Sequence, residues 1–141
     1  MAFQRSLARL LSLRQSLERQ EEMRLALLAG RLNAARTALE AAHTQIRELS
    51  PGRLTHGGSA GGAELQAAAL RQSCLAERLP HLRAQIDELA AAHQAQCRRL
   101  AACQQARKIL ETLRDQRAAA ERLQERRREQ ATLDELFLLR R

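Results

Sequence analysis

Residues 25–49 read LALLAGRLNAARTALEAAHTQIREL, and the spacing of their apolar side chains decides the architecture. Leu25, Leu28, Leu32, Ala35, Leu39, Ala42, Ile46 and Leu49 recur at alternating steps of three and four. A repeat of about 3.5 residues keeps one stripe of a helix turned toward a partner helix and draws the pair into a left-handed supercoil. Upstream, Leu10, Leu13 and Leu17 extend the stripe, with ERQEEM at 18–23 shifting its phase as a stutter.

The partner stripe lies later in the chain. Leu75, Leu79, Leu82, Ile86 and Leu89 repeat the pattern, which continues through His93 and Gln96 to Leu100, Cys103 and Leu110. Polar residues at seam positions cost stability and fix register, so this middle section is expected to be the looser part of the pair. Between the stripes lies SPGRLTHGGSAGG, residues 50–62, which holds five of the six glycines. Pro51 cannot continue a helix and glycine tolerates positive φ, so the chain is expected to turn back here and bring the stripes together antiparallel. A phosphate cradle is the rival use of such a loop, but no Gly-Lys-Ser/Thr follows it and no strand precedes it.

The expected fold is therefore all-α and a single domain over 1–141: helix 1 at about 3–49, a glycine-rich loop at 50–62, and a longer helix 2 at about 63–139. An interior proline removes a hydrogen bond and crowds the preceding turn, so helix 2 should kink near Pro80 while remaining continuous. Composition agrees: the apolar inventory is mostly Leu and Ala, with two Phe, three Ile and no Val, Trp or Tyr. Wide cores draw on aromatic and branched residues, and so do sheets.

If Leu49 sits beside about residue 64, then Phe3 meets about residue 110, and some 30 residues of helix 2, about 45 Å, extend beyond helix 1. That overhang carries Leu113, Leu123, Leu133, Leu136, Phe137, Leu138 and Leu139. A helix that keeps an apolar stripe without a partner in its own chain reads as a surface for another protein; a frayed tail whose leucines serve only helix propensity is the plainer alternative.

The formal charge of +8 is spread as +3, +2 and +3 over residues 1–50, 51–106 and 107–141, so no segment is a polycation. With no aromatic stacking platform besides two Phe, nucleic-acid binding is disfavoured. In RLQERRREQ, 122–130, Glu121, Glu125 and Glu129 alternate with arginines at helical pairing distance, as on a solvated, salt-bridged face. Arg126, Arg127 and Arg128 cover most of the circumference, and Arg5, Arg9 and Arg14 form a second basic set near the same end, an arrangement suited to an acidic or polar collar.

No catalytic constellation emerges. His93 and Cys97 share a helical face, but two ligands leave a metal site incomplete, with Cys103 on another face. Glu21 with Glu22 and Asp87 with Glu88 are adjacent rather than facing. His43, His56 and His81 have no triad partner that spacing identifies. Cys74, Cys97 and Cys103 form no CxxC pair, and Arg5, Arg9 and Arg14 break any leader-like apolar run, so the chain reads as cytosolic with reduced thiols. No apolar run approaches the roughly 20 residues of a membrane span. No enzyme activity, cofactor or metal is expected.

Three stretches then carry a resemblance: FQRSLARLLSLRQSLERQEE at 3–22, LAERLPHLRAQI at 75–86, and ARKILETLRDQRAAAERLQERRREQATLDELFLLRR at 106–141, above all EQATLDE at 129–135. Over nearly its full length the chain resembles the FliJ family, stalk proteins of the bacterial flagellar type III export apparatus. The resemblance implies a two-helix antiparallel coiled coil like the shaft of rotary F-type ATPases. It implies that the end holding both termini sits in the pore of the hexameric export ATPase FliI, which points to Arg5, Leu7, Arg9, Leu10, Arg14, Arg126, Arg127, Leu133, Leu136, Phe137 and Leu139. It further implies contact with the export gate FlhA through Ala35, Leu39, Ala42 and Ile46 on the first arm and Leu75, Leu79, Leu82 and Ile86 on the second. Other members place aromatics at several of these positions. Export chaperones are implied partners, and the cytoplasmic face of the cell membrane the implied location, reached only through the apparatus. Two other readings stay open: the equivalent stalk of a virulence injectisome, of the YscO/SctO type, and a basic helical nucleic-acid binder.

Overall fold

The computed structural model describes residues 2–50 and 61–140, and among them it is an all-α hairpin without strands. Helix α1 runs Ala2–Glu48 and helix α2 runs Gly62–Leu139. The expected corner residues Pro51, Gly52, Gly57 and Gly58 lie outside the described residues. At the end of α1, Leu49 N–H donates to the Gln45 carbonyl at 3.0 Å and Ser50 N–H to that of Arg47 at 3.3 Å. At the start of α2, Glu64 places a carboxylate in the first turn, where the exposed N–H groups favour negative charge. The helix passes through Pro80 without a break.

The chain forms two compact units, each drawing on both helices: Glu22–Arg98, and Met1–Glu21 with Arg99–Arg141. In the first of these the expected seam holds. Leu32, Ala35 and Ala42 are buried, and Leu25, Leu28, Leu39, Ile46 and Leu49 are half-buried. On α2 Leu75, Leu79, Leu82, Ile86, Leu89 and His93 are half-buried, and Gln96 is only 4% exposed. The same phase runs back to Gln72, Ala68 and Leu65, so the α2 seam begins ten residues before the expected Leu75. A fully buried leucine contributes about 1.5–3 kcal/mol, and helices are held in proteins mainly by such packing of an apolar face.

In the terminal unit the structure overturns the expected phase. Leu10, Leu13 and Leu17 are exposed, while Leu7, Leu11 and Glu18 are buried and Glu21 is half-buried. Counted through Leu7, Leu11, Arg14, Glu18, Glu21 and Leu25, the three-four alternation is unbroken, and no stutter occurs. Polar side chains occupy seam positions in this part, so a pattern followed on leucines alone lands on the neighbouring flank.

The register is corrected as well. Gln4 Nε2 donates to both carboxylate oxygens of Glu121, at 2.7 and 2.6 Å, and Arg107 Nε donates to Glu18 Oε2 at 2.5 Å. The guanidinium of Arg117 stacks on the Phe3 ring, 3.8 Å from its centroid. At the other end of α1, Leu49 shares a hollow with Leu70, Cys74 and Leu75. Phe3 therefore meets residue 117 rather than 110, and Leu49 lies beside 70–75 rather than 64. The physical reason is that leucines at three-four spacing fit nearly as well at several alignments, whereas the polar partners fit at one, here about 12 residues along from the expected one. The overhang is shortened accordingly: Leu113 belongs to the paired stretch, and only about 18 residues beyond Glu121, about 27 Å of helix, run unpaired.

Candidate partner-binding surface

Every described residue from Glu121 to Arg140 is exposed, although the segment remains helical through Leu139. Within it Leu133, Leu136, Phe137 and Leu139 surround one shallow hollow with Arg140 at its edge. Phe137 is 67% and Leu139 is 83% exposed, values at which an apolar side chain gains little from its own fold. The sequence places these residues at 133, 136, 137 and 139, and the steps of three and four bring them onto one side of the last turns.

Basic side chains share this unit. Residues 1–21 and 99–141 carry fifteen basic against nine acidic side chains, a net +6, and residues 22–98 carry +2. Arg5, Arg9, Arg14, Arg126 and Arg127 are all exposed. The expected pairing of Glu121, Glu125 and Glu129 with the surrounding arginines does not form among the described residues. Glu121 receives Gln4 instead, and the arginines at 126–128 project into solvent. Of the sequence-derived terminal set, Leu7 is the exception, since it is 5% exposed and spent on the seam.

Arg107 is the polar centre of the paired stretch. It also donates from Nη1 to Glu111 Oε1 at 2.8 Å, one turn along its own helix. The hydrogen bond to Glu18, and then the one to Glu111, hold its pKa above the ordinary guanidinium value.

The eight residues expected at an export gate all lie in the seam of the 22–98 unit. Ala35 and Ala42 are buried, and Leu39, Ile46, Leu75, Leu79, Leu82 and Ile86 are half-buried against the facing helix. Cys97 Sγ lies 3.9 Å from His93 Nδ1, and among the described residues no group of three or more His, Cys, Asp or Glu is placed to hold a metal ion. Likewise no described helix is long and apolar enough to cross a membrane.

Sequence reasoning missed two features. One is a hollow formed by Gln45, Glu48 and Leu49 with Leu70, Arg71, Cys74, Leu75 and Arg78, which only the corrected register brings together. The other is the exposure of Leu10, Leu13, Leu17 and Ile109 beside the terminal seam. A second three-four alternation, offset by one residue from the first, was the signal in the sequence.

No curated protein matches the chain, and no solved structure does. A family model described as flagellar FliJ protein matches residues 3–141. That match spans both helices, including the unpaired terminal turns, and with the helical hairpin it establishes that the chain belongs to the FliJ family of flagellar proteins, export-related stalk proteins.

Proposed function

We propose that this chain is the coupling stalk of the flagellar export apparatus, a non-enzymatic protein whose terminal unit seats in the pore of the hexameric ATPase FliI. The observation that carries the reading is the unpaired end of α2, where Leu133, Leu136, Phe137 and Leu139 line one exposed hollow in the unit that holds most of the net charge. Apolar side chains that stay in water on a well-formed helix are stabilised only by a second molecule. Arg5, Arg9, Leu10, Arg14, Arg126 and Arg127 supply the basic and apolar surroundings that a polar or acidic pore would meet. Leu7 acts from behind, by holding α1 to α2.

The unit at 22–98 faces the export gate FlhA in this reading. Its eight seam residues contribute by fixing the spacing of the two helices, and the half-exposed edges of Leu39, Ile46, Leu79 and Ile86 are what a gate would touch. Export chaperones are further partners, and the protein works at the cytoplasmic face of the membrane without entering it.

Changing Leu136, Phe137 and Leu139 together to Ser tests the central claim. FliI binding and stimulation of its ATPase activity should be lost while far-UV circular dichroism changes little, because none of the three supports the paired helices. Undiminished stimulation would refute the assignment of this end.

A further inference from the structure

The terminal unit carries a second apolar face along its paired stretch and the first turn beyond it, separate from the hollow at the end of α2. Taking Leu11 and Glu18 as a positions of α1, and Leu100 and Arg107 as a positions of α2, Leu10 and Leu17 fall at g and Leu13 at c. On α2, Leu113 falls at g and Ile109 and Leu123 at c. In an antiparallel pair the g positions of the two helices flank the same side of the seam, because reversing one helix mirrors its sense of rotation. The register fixed by Gln4 with Glu121 and Glu18 with Arg107 then sets Leu113 level with Ser12, between Leu10 and Leu13. All six side chains are exposed, between 38% for Leu17 and 61% for Ile109.

Acidic side chains keep off this side, whereas basic ones fall on both: Arg5, Arg14, Arg19, Arg107, Lys108, Arg114, Arg117 and Arg122 lie at a, b or d. Between residues 2 and 21 and between 99 and 126, the charged residues at g, c and f positions are Arg9, Arg99 and Arg126, all basic. The six acidic residues in those stretches, Glu18, Glu21, Glu111, Asp115, Glu121 and Glu125, all fall at a, b, d or e, in the seam or toward the opposite side. A helix with apolar a and d positions and also apolar c and g positions has two seams, and each is stabilised by a helix laid along it. The basic frame selects the charge of that helix and works against a second copy docking through the same face, which would bring the same arginines together.

We propose that the face made by Leu10, Leu13, Leu17, Ile109, Leu113 and Leu123 docks an acidic amphipathic helix of another protein, completing a three-helix layer around the terminal unit. It goes beyond the ring reading, with which it shares Leu10 and the flanking Arg9 and Arg126.

The test uses the full-length chain and two synthetic amphipathic helices, both with leucine at a and d, one with glutamate and one with lysine at e and g. By fluorescence anisotropy the glutamate peptide should bind at least about tenfold tighter than its lysine twin, with the difference shrinking as salt is raised. Leu13→Lys and Ile109→Lys should each weaken it by about tenfold, with Leu13→Gln as the milder variant if circular dichroism shows lost helix. The Leu136→Ser, Phe137→Ser, Leu139→Ser chain should bind the peptide as the parent does, so the face and the tip can fail independently. Equal affinity for both peptides, or undiminished binding by the Lys variants, overturns the proposal. So does sedimentation showing a dimer that Leu13→Lys dissolves, since that result gives the face to a second copy.

Discussion

Leu10 and Leu11 are neighbours in the sequence with opposite fates, and replacing each with Ala separates the seam from its flank. Leu11 is 6% exposed and packs between the helices, whereas Leu10 is 48% exposed on the flank. Truncating a buried leucine removes its transfer free energy and leaves a cavity, typically 2–5 kcal/mol; a two-helix seam lets water and neighbouring side chains partly fill the gap, so about 2–3 kcal/mol is expected for Leu11→Ala. Leu10→Ala forfeits about half of a leucine's burial and gains a little from alanine's helix propensity, leaving a cost below about 1 kcal/mol. The difference, roughly 2 kcal/mol, is about a thirtyfold change in the unfolding equilibrium. For a chain of this size it corresponds to about 6–8 °C in Tm. Urea titration followed by far-UV circular dichroism on both variants measures it. If Leu10→Ala costs as much as Leu11→Ala, the seam passes through Leu10, Leu13 and Leu17, and both the register and the second face fall with it.

Two further substitutions bear on the same architecture. Gly30 sits inside α1 with nothing within 4 Å of the position an added Cβ would take, so Gly30→Ala should raise stability by about 0.5–1 kcal/mol, and a lower Tm would show an unseen contact there. Glu18→Arg or Arg107→Glu alone should lower the urea midpoint by placing like charges in the seam. The double exchange should recover part of the loss, short of all of it because Glu111 would then face a carboxylate. A double-mutant cycle showing no coupling would mean that this pair does not set the register.

The seam of the 22–98 unit was legible over 25–49 and from Leu75 onward, because there apolar side chains occupy nearly every third or fourth place and the period alone fixes which face is buried; Leu65, Ala68 and Gln72, where the stripe is thin, were not. The polar places at His93 and Gln96 were legible as seam positions too, since leucines on both sides hold the phase. Legibility failed toward the termini. Arg14, Glu18, Glu21 and Arg107 occupy the places a leucine would mark, while Leu10, Leu13 and Leu17 repeat with the same period one step away. The unpaired tip was foreseen, with its length overestimated, since it depended on where the two helices align.

Composition and period by themselves determined that this chain makes two long helices, that they pack along one stripe, and that the end of the second keeps leucines that no described part of the chain covers. Those properties follow from spacing within one helix, which the order of residues states directly. Register, the choice between two adjacent stripes, and the gathering of exposed leucines from both helices onto one flank were decided only by the tertiary structure. A heptad repeat is nearly degenerate under sliding, and the degeneracy is lifted by a few directional contacts, Arg107 with Glu18 and Gln4 with Glu121, whose partners lie 89 and 117 residues apart in the chain.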